Sequence, residues 1–382
     1  MITKIKLDNF KSLVDFELNL SKFNCLVGLN GSGKSTVLQG IDFISQLMNG
    51  EIDEWLSKRQ WDAADLNSKL TKKSNITFEL HISDKEYGQI IWGGSVNRSS
   101  LKCTQETVTC NGETLLKVDD ASYFVIAKNG EGNKSPIVFD YQGSILSQFK
   151  ESLIFDVLDK LKTSINEILS LDLISPELLR SRTKSSQGKL GLGGERLSAF
   201  LHESGDTGKE ELKTDLHKVY GQLNSIDTKS LRSGWKQLEI TEEFNGQKVR
   251  STARHVNDGM LRLMAIFSQL RSKTDFLLFD EIENGINPEL IEYLIDHLVG
   301  TEHQIIVTTH SPLILNFIED DVARDGVIYL YKNNDGITKA IKLFDIPSLN
   351  EKLSVMGPGE AFVDTDLTML YEEIQILKLL GA

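Results

Sequence analysis

A chain of 382 residues, 40% hydrophobic and 25% charged, has the composition of a folded globular protein and excludes wholesale disorder. Its net charge of −13 excludes a surface that binds nucleic acid over most of its area, which needs clustered Lys and Arg, but leaves room for a local basic groove. No apolar run reaches the roughly eighteen residues of a membrane span, and the sequence opens on Ile2-Thr3-Lys4-Ile5-Lys6-Leu7 rather than a signal peptide, so a cytoplasmic protein with no membrane partner is expected.

In chain order, residues 2–7 and Val14, Phe16, Leu18 and Leu20 alternate apolar with polar, which predicts two short strands, and the continuously apolar Asn24-Cys25-Leu26-Val27 predicts a buried third. A Gly-rich turn at 28–33 follows, and the spacing over Thr36–Met48 predicts a helix. From 74 to 141, β-rich stretches alternate with turns such as Asn111-Gly112 and Asn129-Gly130, the pattern of an antiparallel lobe. Leu146, Phe149, Leu153, Val157, Leu158, Leu161 and Ile165 then fall at helical spacing. A Gly/Ser/Lys-rich stretch at 181–194 is expected to be a mobile loop, and a further helical stretch runs to about 230. Asn245-Gly246 predicts a hairpin, and Phe276–Phe279 and Gln304–Thr309 read as buried parallel strands with a helix between them. Cys25, Cys103 and Cys110 are odd in number and lack C-x-x-C spacing, so they read as thiols without chemistry.

Four motifs carry chemistry. Gly28-Leu29-Asn30-Gly31-Ser32-Gly33-Lys34-Ser35 fits G-x-x-x-x-G-K-[ST] between a predicted strand and a predicted helix, where backbone N–H groups and the helix N-terminus cradle phosphates. Asn30, Gly31, Ser32, Gly33, Lys34, Ser35 and Thr36 are therefore candidate ATP-binding residues, with Lys34 on the β- and γ-phosphates, Ser35 on Mg²⁺ and Thr36 near the α-phosphate. Asp280-Glu281 closes an apolar strand, which assigns Asp280 to Mg²⁺ and Glu281 to the general base for the attacking water. His310 follows the next such strand, where an imidazole can donate to the γ-phosphate. Asn257-Asp258-Gly259-Met260 precedes an apolar helix and forms a candidate anion-binding cap.

Together these motifs resemble the ABC-type ATPase superfamily, in particular its soluble branch of RecF, SMC heads and overcoming-lysogenization-defect ATPases. The resemblance rests on Ile5-Lys6-Leu7-Asp8-Asn9-Phe10-Lys11-Ser12, the Gly28–Ser35 loop, Phe279-Asp280-Glu281-Ile282-Glu283-Asn284-Gly285-Ile286-Asn287-Pro288 and Thr309-His310-Ser311-Pro312, and covers roughly 1–50 and 235–345. It implies an α/β fold, an ABC-ATPase head with a P-loop parallel core sheet, an antiparallel β lobe and a helical insertion. One domain would span 1–382, with core 1–142 and 231–382 and the insertion at 143–230. Asn257, Asp258 and Gly259 stand where the family has its signature turn, although Asn and Asp depart from Ser-Gly-Gly. Gln142 resembles the glutamine that touches Mg²⁺ and the attacking water, a catalytic and metal assignment for which Gln148 competes. The resemblance also implies a head-to-head homodimer, or a higher homo-oligomer, enclosing two ATP molecules.

Three uses of such an ATPase are weighed. The first is a regulatory ATPase of prokaryotic antiphage defence that controls a separately encoded effector such as a nuclease. The second is a RecF-like clamp on DNA, for which the loop with Arg180, Arg182, Lys184 and Lys189 is the basic candidate. A transporter subunit fits worst, because the signature departs from the transporter form. Asp364 and Asp366 lack the context of a two-metal site, so no nuclease is expected among these residues.

Overall fold

The computed structural model describes residues 1–119, 121–171, 174–272 and 274–380. The chain opens with β1 (Ile2–Asp8), β2 (Phe16–Asn19) and β3 (Phe23–Val27), then α1 (Lys34–Asn49) and α2 (Ile52–Arg59). All five residues of β3 are buried, whereas β1 and β2 bury only part of theirs; β1 and β2 enter one sheet and β3 another. β1 and β2 pair antiparallel and continue through β4 (Asn75–Asp84), β5 (Gly88–Asn97), β6 (Lys102–Cys110), β7 (Glu113–Asp119), β8 (Ser122–Ile126) and β9 (Gly132–Pro136). This eight-stranded sheet, ordered β2-β1-β4-β5-β6-β7-β8-β9, is the antiparallel lobe. Asn111 and Gly112 join β6 to β7 with φ of 48° and 88°, as a type I′ hairpin requires.

The remaining elements are α3 (Asp156–Asn166), β10 (Leu169–Leu171), α4 (Pro176–Leu179), α5 (Leu197–Glu203), α6 (Gly205–His217), β11 (Leu223–Ser230), β12 (Lys236–Phe244) and β13 (Gln247–Thr252). Next come α7 (Asp258–Leu270), β14 (Phe276–Phe279), α8 (Ile291–Gly300), β15 (Gln304–Thr308), α9 (Asp320–Gly326), β16 (Val327–Lys332) and β17 (Thr338–Lys342). Helices α10 (Pro347–Leu353), α11 (Pro358–Val363) and α12 (Leu367–Leu380) follow.

The central sheet has order β10-β14-β15-β3-β16-β17 and is parallel except for β17. Its strands are apolar on both faces because both are covered. Leu26, Leu278 and Ile306 pack with α1 and the lobe, while Cys25, Leu277, Phe279 and Val307 pack with α7 and α8. Emptying one such position, as in Leu278→Ala, costs about 2–5 kcal/mol. Gln304 of β15 bridges the two sheets: it accepts from the Ile2 N–H (2.9 Å) and donates to the carbonyls of Ile2 (2.7 Å) and Ser21 (2.9 Å).

Two expectations need correction. Residues 143–230 are not purely helical, because β10 forms the edge of the central sheet and β11 pairs with β12 to make a third, three-stranded sheet. Three residues are too few to display a period in sequence, and six of the eight residues of β11 (LNSIDTKS) are polar, so neither strand announces itself. The loop at 181–194 is irregular but tied down. Ser186 and Leu190 are buried, Glu203 accepts from the N–H and hydroxyl of Ser186, and Thr183 bridges to Lys236.

Candidate nucleotide site

The site grows from the carboxyl ends of three parallel strands, where open α/β sheets bind ligands. Register fixes which residues meet. Phe279 pairs with Val307 and Thr308 pairs with Leu26, so Asp280, Thr308 and the loop after Val27 leave the sheet side by side. Lys34 and Asp280-Glu281, far apart in sequence, thus converge.

At the first strand end, Gly28 has φ of +149°, and a Cβ there would lie 2.2 Å from the Leu330 carbonyl of β16, so no side chain fits. The chain then turns into α1, whose first residue is Lys34. The ammonium donates to the carbonyls of Gly28 (2.8 Å) and Leu29 (3.3 Å). Burial pushes its pKa down, while Asp280, Glu281 and Glu283 pull it back up. The Ser32 hydroxyl is buried and has no hydrogen-bond partner. A buried orphan donor beside a Gly-rich helix N-terminus is the chemistry a phosphate satisfies, so this loop fits ATP. Thr338 of β17 supports the loop by donating to the Ser32 carbonyl (2.9 Å) and contacting the Ser12 hydroxyl (2.8 Å). It lies 306 residues from Ser32, and nothing in the sequence marks it.

At the second and third strand ends, the Thr308 hydroxyl donates to Asp280 and accepts from the Glu281 N–H (2.8 Å). Glu281 is held at φ +46°, a region that non-glycine residues rarely occupy and that costs about 1–3 kcal/mol. That geometry brings one carboxylate oxygen to 3.2 Å from His310 Nε2 and lets the other accept from Asn284 (3.3 Å). Both side chains remain about half exposed, open to an incoming water. Ser35, partly buried in the first turn of α1, and Asp280 are the residues that would hold Mg²⁺, which there neutralises charge on the phosphates. With ATP bound, Glu281 would be the residue to take a proton from an attacking water and His310 the one to face the γ-phosphate, the roles expected from the sequence.

Asn257 caps α7, accepting from the Met260 N–H (2.8 Å). Asp258 is ion-paired with Arg180, which also donates to the Val256 carbonyl (2.8 Å). Gly259 packs against Tyr220 and the Gly285 carbonyl, and Gly285 in turn packs against the Arg262 guanidinium. Burial pushes Arg262 down, opposed by Asp258, Glu177 and Glu281. Among the described residues, no hydrogen bond or ion pair links Asn257–Gly259 to Asn30–Thr36. Arg180 is thereby withdrawn from the basic loop, of which Arg182, Lys184 and Lys189 stay exposed.

Gln142 does not belong to this site. The 16-residue α1 is about 24 Å long with Lys34 at its head, and Gln142 lies at its foot, where the Ser144 N–H donates to Leu47. There Gln142 accepts from the Asp53 N–H (3.2 Å) and donates to the Asp53 carboxylate. Gln148 lies at the same end and donates to Ser147, whose hydroxyl abuts Gly50 just past α1, so it does not replace Gln142. The chain leaves the lobe along the foot of α1, and Asp280 has a different neighbour: its N–H points to the Leu171 carbonyl at the end of β10 (3.5 Å). Cys25 and Cys103 are buried, which pushes their thiols up, and Cys110 is partly buried.

A parallel sheet with a P-loop on one strand, the acid pair two strands away and a histidine on the strand between defines an ABC-type ATPase. Comparison with known proteins supports this. A family model described as "AAA ATPase domain" matches residues 1–172, and one described as "AAA domain, putative AbiEii toxin, Type IV TA system" matches 240–316. The "OLD nuclease" of Thermus scotoductus is 23% identical over 82% of this chain, which spans 59% of that protein's length. In fold, the chain is similar to an SMC head bound to the C-terminal winged-helix domain of ScpA, with TM-score 0.57, 17% identity and coverage of 93% of this chain and 99% of that one. It is also similar to the Pyrococcus furiosus SMC head bound to the ScpA C-terminal domain, with TM-score 0.51, 14% identity and coverage of 92% and 99%. The two matched models and the fold make the chain an ATPase of the AAA/ABC P-loop type.

Proposed function

We propose that this ATPase closes as a head-to-head homodimer around two Mg·ATP, and that its nucleotide state controls a separately encoded effector, a nuclease, in prokaryotic antiphage defence in the cytoplasm. The observation that carries this reading is the split of the site. Lys34, Ser35, Asp280, Glu281 and His310 form one half with Asn30 and Gly31 exposed at its rim, while the capped N-terminus of α7 with Asn257, Asp258 and Gly259 makes no hydrogen bond or ion pair with Asn30–Thr36 among the described residues. A second protomer offering its α7 N-terminus to the γ-phosphate of the first completes both sites at once.

The effector half of the proposal draws on a relative whose printed name is a nuclease and whose length exceeds what this chain matches. Asp364 here pairs with Lys352 (3.1 Å) and Asp366 caps the first turn of α12, so both carboxylates serve local structure. No helix among the described residues is long and apolar enough to cross a membrane.

Sedimentation of Glu281→Gln protein with and without MgATP tests the closure. A dimer is expected at concentrations where the nucleotide-free protein is monomeric, and a monomer saturated with ATP would overturn the reading. For control of an effector, the products of the adjacent genes are tested for nuclease activity, and a nuclease found among them is assayed with Glu281→Gln and with Lys34→Ala. Its activity should differ between the two, and equal activity removes the regulatory role.

A further inference from the structure

Glu283, two positions past Glu281 in the turn after β14, received no role from its sequence position. One of its oxygens, Oε1, accepts three hydrogen bonds: from the Thr309 hydroxyl (2.9 Å), the His310 N–H (2.8 Å) and the Ser311 N–H (3.1 Å). All three donors belong to the loop that carries His310. The other oxygen, Oε2, is buried and has no hydrogen-bond partner. Leaving a buried acceptor unpaired costs about 1–3 kcal/mol, and more for a charged group, so the arrangement is a poor way merely to stabilise a loop. Its charge also acts on the Lys34 ammonium and the buried Cys25 thiol, raising the pKa of both.

The turn and the loop are joined at two points. Thr308 ties the backbone and carboxylate of the acid pair, and Glu283 ties the backbone of Thr309–Ser311. Between these two ties the Glu281 carboxylate and the His310 imidazole face each other at 3.2 Å. Neither residue is fixed there by burial, since both side chains are 40% exposed or more. Their mutual position is therefore set by the backbone of the two segments, and the second tie is Glu283.

We propose that Glu283 is a positioning residue for ATP hydrolysis: it holds the His310 loop against the Glu281 turn, and through the backbone it sets where the imidazole stands. A charged oxygen receiving three donors is a stiffer anchor than a neutral one, because charge-assisted hydrogen bonds are about twice as strong. The Glu283 hydrogen bonds go to Thr309, His310 and Ser311 and to no residue of the phosphate-binding loop, so ATP affinity and turnover respond differently when they are cut. The inference rests on His310 taking part in turnover, which the same experiment checks separately.

The experiment compares wild type, Glu283→Ala, Glu283→Gln, His310→Ala and the double variant Glu283→Ala/His310→Ala. ATP turnover, direct nucleotide binding and thermal unfolding are measured on each. Glu283→Ala should lower kcat about 10- to 100-fold, the scale of a small misplacement of a reacting group, with ATP Kd changed less than about threefold. Glu283→Gln keeps the length and one acceptor oxygen, so it should fold and recover part of kcat. The double variant should turn over no more slowly than His310→Ala alone, because the two act through one imidazole. Multiplying losses in the double variant would overturn the proposal, as would wild-type turnover in Glu283→Ala or an equal loss of Kd and kcat in the glutamine variant. Wild-type turnover in His310→Ala would remove His310 itself and this role with it.

Discussion

Two acids, one buried in the lobe and one half-buried at the strand ends, are handled in opposite ways. Glu106 of β6 is 1% exposed and has partners on both oxygens: Trp92 Nε1 (2.8 Å) and the Ser144 hydroxyl on one, the Ile145 N–H (3.0 Å) on the other. Glu283 puts three donors on one oxygen and leaves the other bare. The Ser32 hydroxyl and the Nε atoms of Arg180 and Arg262, all near the strand ends or the α7 turn, are likewise buried without partners. A closed network fixes structure, and an open one marks where the protein expects something else to bind.

The sharpest test of the open side is Glu281→Gln. It should lower kcat by about a hundred- to ten-thousandfold, the usual weight of a general base, while nucleotide binding persists in a direct binding assay. Equal turnover in wild type and variant would remove Glu281 as the base. Lys34→Ala comes next, with an expected loss of about a hundredfold in MgATP affinity by calorimetry, since a charge-assisted contact contributes up to about 3 kcal/mol.

The closed side should respond in stability rather than in turnover. Gly143 links the lobe to the foot of α1 at φ +67°, and a Cβ there would come within 2.1 Å of the Leu47 carbonyl. Gly143→Ala should therefore destabilise the fold by at least about 1–3 kcal/mol in denaturant unfolding, with kcat per folded molecule retained. Glu106 supplies a smaller, pH-dependent effect. Burial raises its pKa above the ordinary 4.5, although its three donors oppose the shift. The folded state thus holds this proton more tightly than the unfolded one, and the associated stability is complete below pH 4.5 and fades as pH rises through the raised folded value. Unfolding free energies measured upward from pH 4.5 should fall more steeply in wild type than in Glu106→Gln, and parallel curves would contradict this. Least of all, Gln142→Ala should leave kcat within about twofold, since its side chain serves Asp53 at the far end of α1.

The phosphate loop, the acid pair and His310 were legible because each is a short contiguous motif at the end of a strand whose unbroken apolar run betrays burial on two faces. Once β3, β14 and β15 are recognised, parallel register brings their ends together without further information. Residues that act by reaching across the fold were not legible. Thr338 meets Ser32 only because β17 folds back beside β16, and Glu283 takes its donors from the next strand's exit. The Gln142 assignment failed for the same reason in reverse: a motif match carries no information on which end of a helix the chain passes. β10 was lost because three residues hold no period.

Helix α1 carries the Lys34 grip at one end and, at the other, Leu47 and Gly50 packed against the segment returning from the lobe. A rod about 24 Å long is stiff on that scale, so a tilt of about 5° at the foot displaces the head by about 2 Å. A load on the returning segment that tilts α1 as a whole would therefore move Lys34, whereas one absorbed locally at Leu47 would leave it in place.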